Sequence, residues 1–99
     1  MVKNDQKKLT VLQIIPKLNS GGVERGTLEV GKYLSKKGHR SIVISGGGRM
    51  VKDLIKDGSE HFKWQIGNKS IFTFRYVVAL AKFIITNKVD ILHVRSRFP

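Results

Sequence analysis

Short apolar runs alternate with helical patterns along the chain, and this alternation limits the fold more than any other feature. Residues 9–15, 41–45, 61–66 and 90–94 have the length and the apolar content of strands. Helices are predicted between them, over residues 23–37, 50–57 and 71–87. Repeated strand–helix–strand units with right-handed crossovers give a parallel sheet with helices on both faces. The sequence therefore predicts an α/β, Rossmann-like fold.

Two of the predicted helices carry clear positional signals. In the first, the residues that repeat at helical spacing are Val23, Thr27, Val30 and Leu34. Lys36 and Lys37 followed by Gly38 predict its end. The third is strongly apolar, and Arg75, Lys82 and Thr86 mark a narrow stripe that is expected to face water.

The two ends of the chain differ from the rest. Residues 1–8 form a polar, basic tail, and residues 9–99 form the predicted domain. The chain stops within a few residues of the fourth predicted strand, with no helix to cover that strand. We therefore expect a partial, truncated domain.

Composition excludes several classes of protein. The 99 residues contain no cysteine, which excludes disulfides, thiol nucleophiles and thiolate metal sites. No run is long and apolar enough for a membrane span, and residues 1–10 lack the apolar core of a signal peptide. A cytoplasmic protein is expected. Lys and Arg number 19 against 7 Asp and Glu, a net charge of +12, which fits anionic partners or a solvated lysine-rich surface.

Ligands of open parallel sheets bind at the carboxyl ends of the strands. The loops expected there are residues 17–22, 46–50, 67–70 and 95–99. Gly21 and Gly22 come just before the first predicted helix, where backbone N–H groups and the helix dipole favour an anion such as a diphosphate. The alternative is a tight turn without a ligand.

Two common phosphate motifs are absent. Gly21, Gly22 and Gly26 give G-G-x-x-x-G and not the dinucleotide fingerprint G-x-G-x-x-G. No acidic residue follows the second predicted strand, and no P-loop sequence occurs. The glycine pair therefore belongs to another kind of loop.

The segments SGGVERGTLEVGKYLSKKGHRSIVIS and VDILHVRSR resemble the glycosyltransferase subfamily-4-like amino-terminal domain of the GT-B fold. The shared motifs are Gly-Gly-x-Glu, Gly-His and Asp-x-x-His. The resemblance implies a retaining, hexosyl-type glycosyltransferase that moves a sugar from a nucleotide-sugar donor to an acceptor hydroxyl. It also implies that Gly21 and Gly22 bind the donor, without a metal or other cofactor.

The same resemblance implies that the chain is the amino-terminal part of the enzyme. Relatives carry a second domain with an E-x₇-E pair, and Glu24, Glu29 and Glu60 do not have that spacing. The catalytic residues are expected beyond Pro99, so this chain alone is expected to be inactive. Acceptors of many relatives are lipid-linked or envelope glycans, which implies peripheral association with the cytoplasmic face of a membrane.

Further candidate contacts in the crevice are Ser20, Glu24, His93, Arg95 and Ser96. Arginine suits phosphate or carboxylate recognition, although exposed arginines are also common. A histidine in a buried strand, as predicted for His93, is more often a core residue. His39 and His61 are both placed at the opposite edge of the sheet, with structural roles.

The competing interpretation is a small basic α/β module that binds nucleic acid or anionic membrane without catalysis. The net charge of +12 and the apolar third helix favour it. Against nucleic acid, the aromatic residues occupy core-like positions and no recognised motif occurs. The transferase interpretation therefore includes no nucleic-acid partner.

Overall fold

The computed structural model describes residues 7–18, 21–64 and 74–95. Along the chain these residues form β1 (Thr10–Ile14), α1 (Gly22–Lys36), β2 (Arg40–Ser45), α2 (Val51–Lys56), β3 (Glu60–Lys63), α3 (Phe74–Thr86) and β4 (Ile91–Val94). The type and order of these elements confirm the pattern predicted from the sequence. Of the predicted tail at residues 1–8, residues 1–6 lie outside the described residues.

The four strands form one parallel sheet in the order β3-β2-β1-β4. In the centre, Leu12 of β1 lies opposite Ile42 of β2 and Leu92 of β4. After β3 the chain returns to the other side of β1, so the strand order reverses between β1 and β4. That reversal places the ligand crevice of such a sheet at the carboxyl ends of β1 and β4.

Both faces of the central strands are covered, which explains why their sequences are nearly continuous apolar runs. On one face, Leu12, Ile14, Ile42 and Ile44 pack against Leu80, Phe83 and Ile84 of α3. On the other face, Ile15, Leu18, Val43 and Leu54 pack with residues of α1 and α2 such as Val23, Leu28 and Val51. The helices thus lie on both sides of the sheet, as predicted.

An aromatic cluster holds α3 against β3. The ring of Phe83 meets Phe62 edge-on at 5.0 Å between centroids, and it meets Trp64 edge-on at 5.7 Å. Trp64 also contacts Tyr76 at 6.3 Å. Edge-to-face pairs stabilise a packing beyond the area that they bury. These contacts fix where α3 crosses the sheet.

The structure corrects two expectations about exposure. Exposed residues of α3 include the predicted polar stripe, but also Phe74 and Ile85, whose exposed fractions are 82% and 76%. All four residues of β4 are exposed as well, so His93 does not lie in a buried strand. Both departures have one cause: among the described residues, nothing pairs with the free edge of β4 or packs on the outer side of α3.

Candidate functional site

The candidate site lies where β1 and β4 end side by side. Val94 pairs with Ile14, and the next N–H, that of Arg95, donates to the Ile14 carbonyl oxygen at 2.7 Å. The chain then leaves β4 at the same edge of the sheet at which α1 begins. The geometry therefore brings the start of α1 and the exit of β4 to one crevice.

The loop after β1 is tied to the loop after β2 by backbone hydrogen bonds. Gly46 N–H donates to the Pro16 carbonyl at 2.7 Å, Leu18 N–H to the Gly47 carbonyl at 2.9 Å, and Met50 N–H to the Leu18 carbonyl at 2.8 Å. A Cβ on Gly46 would lie 2.8 Å from the Pro16 oxygen, so this close approach needs glycine. Main-chain hydrogen bonds therefore fix the first part of the loop that leads from β1 to α1.

Gly21 and Gly22 form the start of α1. Gly21 is the N-cap with a φ of 143°, a backbone conformation that favours glycine, and as a glycine it has no side chain to cap the helix. A Cβ on Gly22 would meet no described atom within 4 Å. No described residue therefore covers Gly22 on its Cα side, and the N–H groups of the first turn lie at the positive end of the helix dipole, an arrangement suited to an anion.

Glu24 lies in the first turn of α1, and its Oε1 atom is buried. A carboxylate is stabilised at this end of a helix by the dipole. The same charge repels a second anion nearby. Glu24 is therefore better suited to a neutral part of a ligand, such as a sugar hydroxyl, than to a diphosphate.

Arg95 reaches from the exit of β4 toward α1. Its Nε–H donates to Gln13 Oε1 at 2.9 Å, and Gln13 Nε2 donates to the Thr27 carbonyl at 3.3 Å. The Arg95 NH1 atom lies 3.9 Å from the position of a Cβ on Gly26. The structure therefore brings Arg95 and α1 together. Sequence reasoning missed Gln13; the available signal was an amide within the apolar run LTVLQII.

His93 is the remaining described candidate on β4. It pairs with Gln13, and Gln13 bonds to α1, so His93 lies on the α1 face of the sheet. Its side chain is exposed. Ser20 and Ser96 lie outside the described residues, as do residues 67–70 of the third predicted loop.

His61 is not at the edge to which the sequence assigned it. β3 begins opposite Ile42, two residues into β2, so His61 pairs with Val43. His61 Nε2 lies 2.6 Å from Ser45 Oγ, which also accepts the Gly47 N–H at 3.0 Å. Burial lowers the pKa of the His61 imidazole, and the Lys63 ammonium lowers it further. His61 therefore supports the loop after β2, on the crevice side.

The opposite edge of the sheet carries structural contacts. His39 lies there and accepts the Leu9 N–H on Nδ1 at 3.0 Å. Arg40 forms a two-pronged pair with Glu60, at 2.7 and 2.9 Å, and donates to Asn87 Oδ1 at 3.1 Å. Hydrogen bonds from Arg40 hold the pKa of the Glu60 carboxyl below its ordinary value.

The described residues contain neither a cluster of metal ligands nor a membrane-spanning helix. No three His, Asp or Glu side chains within them cluster in a way that would hold a metal ion. No helix among them has both the length and the apolar character needed to cross a membrane.

Comparison with known proteins gives a family. The family model described as Glycosyltransferase Family 4 matches residues 20–99. A solved glycosyltransferase from Rickettsia africae ESF-5 is 44% identical, with a TM-score of 0.77, over 93% of this chain and 24% of the solved chain. This chain thus spans about a quarter of the length of that relative. No curated protein matches significantly. The chain belongs to Glycosyltransferase Family 4 and contains part of the amino-terminal domain of a GT-B enzyme.

Proposed function

We propose that this chain supplies the donor-diphosphate side of a retaining, hexosyl-type glycosyltransferase that uses a nucleotide-sugar. The observation that carries the proposal is the start of α1. Its first turn begins at Gly22 after the N-cap Gly21, lies near the reversal of strand order, and is covered at Gly22 by no described residue. The family match supports the reaction class.

The first turn of α1 acts on the leaving group. As the bond to the sugar breaks, negative charge grows on the nucleoside diphosphate that departs. Backbone N–H groups that already point at that charge stabilise the transition state more than the ground state. Arg95 adds a positive charge on the same side of the crevice. This arrangement needs no metal ion or other cofactor.

The other candidates contact neutral parts of the substrates. Glu24, in the first turn, accepts hydrogen bonds from hydroxyl groups of the donor sugar. His93, exposed on the α1 face of β4, lies on the acceptor side. Ser20 and Ser96 adjoin the same two loops in the sequence. The catalytic groups lie in the rest of the enzyme.

The acceptor in this proposal is a lipid-linked or envelope glycan, reached at the cytoplasmic face of a membrane. The net charge of +12 supports it, since each basic residue near an anionic leaflet contributes about 1 kcal/mol. The full enzyme is then expected to sediment with anionic vesicles at low salt and to be released at high salt. Failure to sediment at low salt contradicts the membrane part alone.

The 99-residue chain does not transfer sugar by itself in this proposal. It spans about a quarter of its solved relative, and no E-x₇-E pair occurs in it. We expect no release of nucleoside diphosphate when the purified chain is incubated with nucleotide-sugars. Turnover above the rate of a buffer blank contradicts this expectation.

Donor binding is tested by titrating the chain with uridine, guanosine and adenosine diphosphates and with pyrophosphate, observed through backbone amide NMR. We expect shifts centred on Gly22, Val23 and Glu24, with an affinity on the order of millimolar because most of the nucleotide pocket is absent. Gly21→Ala should abolish them, since φ at residue 21 is 143°.

The matched control for Gly21→Ala is Gly38→Ala, because Gly38 also has a positive φ, 85°, but lies at the other end of α1. Both substitutions strain the backbone, and only Gly21→Ala should lose the shifts. Shifts centred away from α1, or equal loss in both variants, contradict the proposed donor site.

The second candidate function is binding to nucleic acid or anionic membrane without catalysis, which the net charge favours. For binding to a phosphate backbone, the logarithm of the binding constant falls steeply and linearly with the logarithm of the salt concentration. Donor binding instead depends on the base and on the sugar. A salt titration with single-stranded DNA and with the diphosphates therefore separates the two functions.

A further inference from the structure

One of the fully buried polar side chains near the crevice belongs to Gln13, one residue before the end of β1. Gln13 is fully buried, with an exposed fraction of 0%. A buried amide without partners destabilises a core, so such a residue needs its hydrogen bonds satisfied. Gln13 satisfies them on two sides: Nε2 donates to Thr27 of α1, and Oε1 accepts from Arg95 after β4.

These two bonds fix the direction of the Arg95 guanidinium. The side chain is anchored through Nε at 2.9 Å, and the backbone N–H next to it bonds to Ile14 at 2.7 Å. Among the described residues, no hydrogen bond or ion pair involves NH1 or NH2. Within the described part of the chain, the terminal nitrogens, which carry four of the five guanidinium donors, are therefore available for a ligand.

The guanidinium lies along a strip of α1 that lacks side chains. NH1 lies beside Gly26, which is four residues after Gly22 and therefore on the same side of the helix, one turn along. Near Gly22 a Cβ would meet nothing, and near Gly26 it would meet only NH1, at 3.9 Å. The guanidinium terminus thus lies about one helical turn from the N–H groups of the first turn of α1.

We propose that Gln13 is a positioning residue that holds the Arg95 guanidinium over the glycine strip Gly22–Gly26, so that Arg95 binds the donor diphosphate together with the start of α1. This inference rests on the proposed function. It explains why an amide occupies a core position of β1 whose neighbours in the sequence, Leu12 and Ile14, are apolar. An arginine that is already oriented loses less freedom when it binds a phosphate.

The orientation of Arg95 is tested by NMR of its Nε–Hε group in the 99-residue chain. We expect a slowly exchanging Hε in the wild type. Gln13→Met should lose this protection, whereas Gln13→Glu should keep it, because a carboxylate still accepts from Nε. The matched control is Thr27→Val, which removes a part-buried hydrogen bond, from Thr27 Oγ1 to the Val23 carbonyl, and leaves the Thr27 carbonyl in place.

Binding is tested with pyrophosphate in a double-mutant cycle. Gln13→Met is expected to weaken binding about five-fold and Arg95→Ala about ten-fold, with the double variant no weaker than Arg95→Ala. Thr27→Val lowers thermal stability without changing the affinity. A purely structural role of Gln13 would lower stability and leave both the affinity and the Arg95 signal unchanged.

The outcomes separate this inference from the proposed function. If the wild type binds pyrophosphate at the start of α1 and Arg95→Ala binds equally well, the inference is overturned and the donor site stands. If Arg95 Hε exchanges rapidly in the wild type, Gln13 does not position it. If the wild type binds no pyrophosphate, the donor site itself fails, and with it the ligand assigned to Arg95.

Discussion

At the scale of single residues, the polar side chains inside the sheet indicate where the site lies. Gln13 and Ser45 are fully buried on the face that α1 and α2 cover, toward the carboxyl ends of their strands. Each contacts a group that leads to the crevice, namely Arg95 for Gln13, and His61 and Gly47 for Ser45. Buried polar groups are nearly always hydrogen-bonded. The buried Gln13 and Ser45 therefore fix the positions of their hydrogen-bond partners at the edge of the sheet where the site lies.

His61 makes the stability of the chain depend on pH. Burial lowers the pKa of folded His61, whereas the unfolded residue titrates near about 6.5. Between those two values the unfolded state binds more protons, so the free energy of unfolding falls as pH drops through that interval. We expect denaturant midpoints to fall between about pH 7 and pH 5 and to fall less in His61→Gln.

The cause of that dependence is testable separately, since Lys63 also lowers the pKa of His61. Lys63→Gln should raise the His61 pKa in an NMR titration, while the burial contribution remains. Equal pH slopes for the wild type and His61→Gln would show that His61 is not the group responsible.

Residue positions were predicted unevenly from the sequence. Gly21 and Gly22 were placed correctly, because a glycine pair between a strand and a helix has few other locations. His61 was placed at the wrong edge, since the start of β3 relative to β2 depends on pairing across the sheet. The role of Gln13 was missed because its partner Arg95 lies 82 residues away in the sequence.

At the scale of elements, α1 packs close to the sheet because Gly31 has no side chain. Gly31 is buried, and a Cβ there would collide with Ser59 Oγ and would lie 3.1 Å from Ser41 Oγ. Those two hydroxyls are themselves bonded at 2.7 Å in the core. The helix can approach β2 this closely only with glycine at this position, which fixes its distance from the sheet.

Two glycines of the same helix therefore predict opposite effects on stability. Gly31→Ala should destabilise the chain by about 1–3 kcal/mol, because the added methyl overpacks the Ser41–Ser59 contact. Gly26→Ala should stabilise it by about 0.5–1 kcal/mol, because its Cβ has room and alanine favours helix. Chemical denaturation of both variants checks this. Destabilisation of equal size would mean that helix propensity and packing do not distinguish the two sites.

Sequence periodicity predicted the elements well and their environment less well. Strand and helix signals are local, so each described element was found in the right order. What covers an element is not local: the apolar pattern of α3 predicted a narrow exposed stripe, yet Val77 and Ile85 are exposed. The apolar character of a residue predicts that its side chain packs against something, but it does not predict which segment packs against it.

At the scale of the whole molecule, the described part is packed at its central strands but leaves apolar side chains exposed on β4 and on the outer side of α3. Helices cover both faces of β1 and β2, and the apolar cluster on each face is buried there. β4 is an edge strand with Ile91, Leu92 and Val94 exposed. Together with the outer side of α3 it presents apolar side chains that no described residue covers.

We expect the 99-residue chain to associate with itself as its concentration rises, through α3 and β4. Val77→Lys combined with Ile85→Lys should reduce this association in sedimentation velocity and reduce the binding of an apolar dye. Both positions are exposed, so the free energy of unfolding should change by no more than about 0.5 kcal/mol per substitution. Leu80→Lys is the matched control on the packed side of α3, where a charge placed against the core should strongly destabilise the chain. If the exposed pair of lysines destabilises the chain as Leu80→Lys does, the outer side of α3 is part of a core.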